Sequence, residues 1–348
     1  MNHFLNVGVT SGGVIPFTAP NKSTAIPTMD VNGIASGGAF LVSELEKRDS
    51  LLRKPLSSVT YPRDIPIETG GGWVDYVSAM SVAYGLTGGS GEGAVQAGGA
   101  NSLPVVQANM DKGIYKAHVF AVALRVLFQD MQRANFAGRS LDQLLLDGVR
   151  LAYDKHNEEN VYMGLAQYGT TGLINNPDAL ASTVADGTAG NGNWVTKTPM
   201  EILNDINTAL TTTWAQAEYD LSALPNHILL PYEEYTYLLN TPMSDMASKS
   251  IYDYIMENNI STRNGGNLFI GATSWCKGAG VGNTDRMVVY VNHPRFVKMD
   301  ELVPMSRVMS SPNVEHVCFD TAYMANVSQV QVLYPQTITY WDNIGGDA

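Results

Sequence analysis

Two stretches concentrate glycine at a density that can cradle a phosphate or let a loop bend: ETGGGW at 68–73 and GLTGGSGEGAVQAGGANSLP at 85–104. A phosphate loop of the G-x-x-x-x-G-K-[ST] type needs a lysine to reach the β- and γ-phosphates. No lysine or arginine lies between Arg63 and Lys112, and the charge within the loop, Glu92, would repel a phosphate. The dinucleotide fingerprint G-x-G-x-x-G is approached by Gly89, Gly91 and Ala94. No compact strand–turn–helix unit with an acidic residue in register follows it. Both stretches therefore read as segments built to bend.

Other residue types offer chemistry without the spacing it needs. HNEEN, 156–160, sets His156 and Glu159 three apart on a helix. A zincin helix requires two histidines four apart around a glutamate, and a di-iron bundle requires Glu-x-x-His twice. HNEEN reads instead as a polar helix face. Ser90 misses the G-x-S-x-G elbow because Glu92 stands where glycine is required. His3, His118, His156, His227, His293 and His316 are scattered, and none is spaced to serve a particular serine. Cys276 has Lys277 beside it, which favours a thiolate, but a lone cysteine is more often a small buried hydrophobe. No catalytic, cofactor-binding or metal-binding pattern stands out.

The bulk composition narrows the class further. Of 348 residues 45% are hydrophobic, enough for a substantial core, while only 16% are charged against about 25% in an average soluble domain. Seventeen tyrosines and an excess of small polar residues suit surfaces that rest against other protein. A net charge of −12 disfavours sequence-independent nucleic-acid binding through a basic face. Cys276 and Cys318 are too far apart in sequence for a C-x-x-C site, which fits a reducing cytoplasm. No signal peptide and no run of about 20 apolar residues is seen, so no membrane association is expected.

These residues must be held by elements of unusual proportions. Residues 1–35 lack periodicity and read as an extended arm, followed by helical character from Gly38 through FLVSELEKRDSLL. From Lys54 to Lys116 interrupted strand-like runs (YPRDIPIE, WVDYVSAMSVAYG, LPVVQA) predict a long ribbon with little core of its own. RVLFQDMQRANFAG reads as a short helix closed by Gly138. Ser140 and Gln143 form a capping box that opens a helix reaching about Leu165, with Leu141, Leu144, Leu145, Val149, Ala152 and Tyr153 at helical spacing. TPME at 198–201 is a second capping box for a helix to about Gln216. Residues 171–290, with HILLP and RMVVYV as strands between helices, read as an α/β domain; the tail to Trp341 is strand-rich.

This order of arm, glycine-rich ribbon, spine helix, inserted α/β unit and returning strands resembles the tailed-phage major capsid proteins of the Hong Kong 97-type fold. GLINNP, 172–177, resembles the G-L-x-N-x-P step into the axial domain of many such shells, and YPRDIP with YGLTG and LPVV resembles segments that frame the E-loop in one subfamily. The resemblance implies an α+β chain divided into an N-arm and leading helix (1–54), an E-loop (55–117), a P domain with the spine helix (118–170), an A domain (171–292) and P-domain return strands (293–348). It implies a non-enzymatic shell subunit that needs no cofactor and assembles with itself into hexamers and pentamers around double-stranded DNA. Inter-subunit contacts are expected at Arg63, Asp64, Trp73, Tyr84, Gly89, Gly91 and Glu92.

The same resemblance implies a portal, a decoration protein in some relatives, location in the virion, and assembly in the bacterial cytoplasm. The arm begins close to Met1, so a separate scaffolding protein, or none, is expected. Lys–Asn crosslinking at the loop tip has no support, because no lysine lies between Lys54 and Lys112. Two other readings stand beside this one: an encapsulin-like nanocompartment of the same fold, and a soluble α/β hydrolase or transferase with an acidic surface.

Overall fold

The computed structural model describes residues 58–87, 105–136, 141–244 and 249–346. The arm, the helix from Gly38, the ribbon tip with Gly89, Gly91 and Glu92, the Gly138 terminator and the Ser140 cap lie outside them. In chain order the first elements are α1 (Tyr61–Asp64), β1 (Ile67–Thr69), β2 (Tyr76–Thr87), β3 (Val105–Leu127), α2 (Phe128–Phe136) and α3 (Leu141–Tyr162). Then come β4 (Leu180–Thr183), α4 (Pro199–Gln216), β5 (His227–Leu230), α5 (Tyr232–Asn240), α6 (Ile251–Glu257), α7 (Ile260–Arg263), β6 (Phe269–Ala272) and β7 (Arg286–Tyr290). The chain closes with β8 (Val297–Asn313), β9 (Cys318–Ser328), β10 (Gln331–Val332) and β11 (Ile338–Asp342).

The strands form two sheets. The larger has the order β1-β8-β9-β3-β2, with β10 added on β8; the smaller has the order β4-β11-β7-β5-β6. Apart from the exposed edge strand β4, the short strands of the smaller sheet carry near-continuous apolar runs because both of its faces are covered. Leu229, Val288, Tyr290, Ile338 and Tyr340 face one core, which they share with Val161, Tyr162, Leu173 and Ile174. Ile228, Leu230, Met287, Val289 and Trp341 face the other, filled by Ile202, Ile206 and Leu210 of α4 and by Leu238, Ile251 and Ile255. The period of two in these strands deals side chains alternately to the two cores.

Three sequence expectations need correction. YPRD is not strand but the single-turn α1, with Pro62 in its first turn, where a missing N–H costs nothing. Ile338–Asp342, grouped by sequence with the P-domain return strands, lies in the smaller sheet between β4 and β7. Its five residues are all buried, so it needs cover on both faces, and only a central position there supplies it. The spine helix ends at Tyr162 rather than Leu165, since Gly164 turns the chain with φ +72°. At 22 residues α3 is about 33 Å long.

Candidate assembly surface

β2 and β3 pair from Tyr76 opposite Lys116 to Thr87 opposite Val105, an antiparallel ribbon about 40 Å long. Even-numbered residues of both strands share one face. That face carries Tyr76, Met80, Val82, Tyr84, Val106, Met110 and Ile114, all exposed: Met80 is 73%, Tyr84 76% and Met110 69% accessible. The opposite face holds Ser81, Gly85, Gln107, Asn109 and Asp111 toward the tip. At the root it settles on the body, where the Tyr115 hydroxyl donates to the Val332 carbonyl at 3.0 Å. The ribbon is thus amphipathic with its apolar face outward. Covering such side chains is worth about 1.5–3 kcal/mol apiece, stabilisation that the isolated subunit forgoes.

β3 explains why. Residues 105–116 pair with β2 on one edge, whereas residues 117–127 pair with β9 on the other. Along this strand of about 75 Å the even-numbered face is continuous. Beside the body α3 covers it: Phe120 packs edge-on against Tyr153 at 5.5 Å, and His118 lies 5.4 Å from His156. Beyond the reach of α3 it is bare. A second apolar exposure, Met309, Val314, Val317 and Phe319, lies at the far end of β8 and β9.

The ribbon's entry is shaped by the first glycine cluster. Gly70, Gly71 and Gly72 all have positive φ, +121°, +124° and +77°, and a Cβ on Gly71 would sit 2.7 Å from Leu302 Cδ2. The buried Asn326 donates through Nδ2 to the carbonyls of Gly72 (3.3 Å) and Val74 (2.9 Å), fixing the turn from which Trp73 projects, 54% exposed.

Asp64 is fully buried and does not face outward. Its carboxylate accepts from Arg63 Nε (2.6 Å) and Nη2 (2.8 Å) and from the Tyr162 hydroxyl, and lies 3.4 Å from His227 Nε2. The Tyr290 hydroxyl donates to its backbone carbonyl at 2.5 Å. Burial pushes this carboxyl's pKa up, but the bonds from His227, Arg63 and Tyr162 outweigh it and hold the group below its ordinary value. Arg63 is half-exposed and its Nη2 also donates to Ala272 O at 3.2 Å. One turn away, Glu158 accepts from the backbone N–H of Thr60 (2.8 Å) and Tyr61 (3.1 Å), at the N-terminus of α1. These contacts tie the chain entering the ribbon to α3 and to the smaller sheet.

HNEEN therefore departs from the expected polar face: Asn157, Glu158 and Asn160 are buried. Asn160 Nδ2 donates to the Ser328 carbonyl at 3.0 Å, anchoring α3 to β9. Nothing in its local pattern marks this polar hub, because the partners lie about 100 or more residues away. Cys276 is buried and its thiol is pushed up by burial, so it is no poised nucleophile; Lys277 pairs with Glu233 instead.

GLINNP is a backbone-on-backbone joint. A Cβ on Gly172 would stand 2.3 Å from the Tyr162 carbonyl oxygen, so only glycine fits. Leu173 N and Ile174 N donate to the carbonyls of Val161 (2.7 Å) and Tyr162 (3.1 Å), completing the end of α3. Asn175 accepts from Gly172 N and donates to Met163 O, both at 2.7 Å. Asn176 N donates to the Tyr340 hydroxyl, which in turn donates to Leu173 O. Arg286 Nη1 donates to Ile174 O at 2.7 Å while its other nitrogens form a bidentate pair with Asp342 at 2.6 and 2.9 Å. The motif welds spine helix to α/β sheet.

A rigid two-sheet body carrying a long, bare-faced ribbon defines a class of protein finished by its neighbours, a shell-building subunit. The major capsid protein family model matches residues 91–344, and the chain belongs to that family. The fold is the Hong Kong 97-type capsid fold. "The capsid of Myoviridae Phage XM1" is 14% identical with a TM-score of 0.71, covering 87% of this chain and 98% of that one. A solved structure, "Microbacterium phage Oxtober96", is 14% identical with a TM-score of 0.58, covering 90% and 99%. "Capsid of native GTA particle computed with C5 symmetry" is 10% identical with a TM-score of 0.59, covering 90% and 98%. No curated protein matches the chain. The protein is a capsid subunit that forms a shell, and neither the nanocompartment nor the hydrolase reading is favoured.

Proposed function

We propose that this chain is the major capsid protein of a tailed phage, forming hexamers and pentamers of an icosahedral shell around double-stranded DNA without reading its sequence. It acts without catalysis or cofactor, resides in the virion and assembles in the host cytoplasm. A portal and a separate scaffolding protein are its expected partners, and a decoration protein would sit on the outside. Residues 1–54 serve as N-arm, 55–117 as E-loop, 118–170 with the strands after 293 as P domain, and 171–292 with Ile338–Asp342 as A domain.

The observation that carries this reading is the outward apolar face of the ribbon. A lone two-stranded ribbon is marginal in water, and one with bare methionines and tyrosines is a liability unless a second copy covers it. Trp73, Tyr84, Met80 and Met110 are the contacts we assign to the neighbouring subunit, with Arg63 at the margin and Gly89, Gly91 and Glu92 at the tip. Electron microscopy of the purified full-length chain should show hollow closed particles tens of nanometres across. A persistent monomer or dimer at micromolar concentration overturns the reading. Deleting residues 86–101 should leave a soluble, folded chain that does not assemble.

A further inference from the structure

Two buried carboxylates lie side by side at one end of the smaller sheet. Glu234 stands in the first turn of α5 and Asp285 directly precedes β7; they are 5% and 1% exposed. The backbone sets them together. Asp285 N donates to the Gly345 carbonyl at 3.0 Å and Ile344 N to the Asp285 carbonyl at 3.4 Å, so the segment after β11 runs along residue 285. Gly278 N donates to Asp285 Oδ1 at 2.8 Å and orients that carboxylate. Gly345 leaves the room: a Cβ there would overlap the Glu234 carboxylate, and Asp285 Oδ2 lies 3.0 Å from the same point.

What this pair lacks is a positive partner. Glu234 Oε2 and Asp285 Oδ2 are buried without a hydrogen-bond partner among the described residues. Ionised carboxylates can only accept, so two that share a buried place must hold a proton or a cation between them. The neighbouring cations are taken. Lys277 Nζ pairs with Glu233 at the exposed rim, and Arg286 is committed to Asp342 and the Ile174 carbonyl. Glu233, Glu234, Lys277 and Gly346 line a cavity of about 540 Å³, room for a small ion and the water around it. The Asn283 carbonyl oxygen lies 3.5 Å from the point that a Cβ on Gly346 would occupy, next along the same segment.

We infer that Glu234 and Asp285 form a site for a hard divalent cation, Ca²⁺ or Mg²⁺, which ties the start of α5 to the loop before β7 and to the segment after β11. The donor set decides the class of ion. No third His, Cys, Asp or Glu converges with them among the described residues, which excludes a closed zinc-type shell. Carboxylate oxygens completed by main-chain carbonyls and water are the ligands that Ca²⁺ and Mg²⁺ take. The ion is structural, and the site lies within one chain, so it goes beyond the shell reading without resting on it.

A proton competes for the same place. Burial, with Asp285 close by, raises the Glu234 carboxyl to about 7. The charged groups around it are Glu233 on the same helix, Asp285 before β7 and Lys277 in the loop between. Below about pH 7 an incoming cation must displace the proton, so apparent affinity should fall roughly 20-fold between about pH 7.5 and pH 5.5.

The test is thermal melting of the chelator-treated, full-length chain with about 5 mM CaCl₂ or MgCl₂. At about pH 7.5 one of the two salts should raise Tm by about 2–4 °C, the larger shift naming the ion. At about pH 5.5 the shift should shrink below about 1 °C. Glu234→Gln keeps the side-chain volume and lets an amide donate to Asp285; it should melt no lower than wild type in chelator and lose the shift. Gly345→Ala keeps both carboxylates and the net charge but drives a methyl group into Glu234, and should lose the shift as well. Tb³⁺ luminescence, excited through Tyr237 on the cavity wall, should saturate at a single ion per chain and drop about fivefold or more in either variant. No shift from either salt in the wild type would mean that the pair shares only a proton and would overturn the site. Equal shifts in wild type and both variants would place the ions elsewhere on the acidic surface, and equal shifts at both pH values would remove Glu234 as a ligand; each overturns it too. None of these results bears on whether shells form.

Discussion

The smaller sheet and the ribbon are built from the same residue classes and end in opposite states. In β5, β7 and β11 valine, leucine, isoleucine and tyrosine are buried on both faces, alternate residues serving separate cores. In β2 and the first half of β3 valine, methionine and tyrosine alternate as regularly, but one face meets solvent. The difference is not in the strands but in what the chain supplies to cover them: α4 and α3 flank the first, and nothing in the described residues lies on the outward face of the second. Hydrophobic pattern specifies a face; whether that face is closed within a subunit or between subunits depends on the reach of the other elements.

Breaking the self-contained side should produce the largest effect on folding. Asp342→Ala leaves Arg286 buried beneath Tyr340 without its bidentate partner, and should cost about 3–5 kcal/mol in urea denaturation. Gly172→Ala forces a methyl group into the Tyr162 carbonyl, and should cost about 1–3 kcal/mol or shift the spine helix against the sheet. A smaller, pH-dependent effect is expected at Glu234. Burial, with Asp285 close by, raises this carboxyl to about 7. A raised pKa stabilises the fold at low pH: the contribution is complete below about 4.5 and is lost as pH rises through about 7. Glu234→Gln should therefore flatten the fall in melting temperature between pH 5 and pH 8, and an unchanged slope would remove Glu234 as its source.

How much of this was legible in the sequence depends on how local each signal is. TPME opens α4 with Pro199 in its first turn and Glu201 accepting from Thr198 N at 2.8 Å. HILLP, RMVVYV, the ribbon and the spine helix were equally readable, since each carries its own periodicity. At 68–73 the positive φ values of Gly70, Gly71 and Gly72 serve a turn, as a glycine cluster built to bend would. The placement of β11 was not legible, because a buried strand does not announce which sheet it joins. The burial of Asp64 within the subunit was not legible for a related reason: its partners Tyr162, His227 and Tyr290 lie 98, 163 and 226 residues away. The outward face of the ribbon shows as alternation in the sequence, but only the register reveals that Tyr76, Met80, Val82 and Tyr84 of one strand share a side with Val106, Met110 and Ile114 of the other.

The smallest expected change in folding accompanies the largest in assembly. Met80→Glu/Met110→Glu places two charges on the bare face of the ribbon, where surface substitutions alter stability by only about 0.5 kcal/mol. Sedimentation velocity of this variant beside the wild type tests most directly whether that face is completed by a neighbouring copy. The wild type is expected to sediment as a fast shell boundary and the variant as a slow, folded subunit. Shells of wild-type yield from the variant would contradict it.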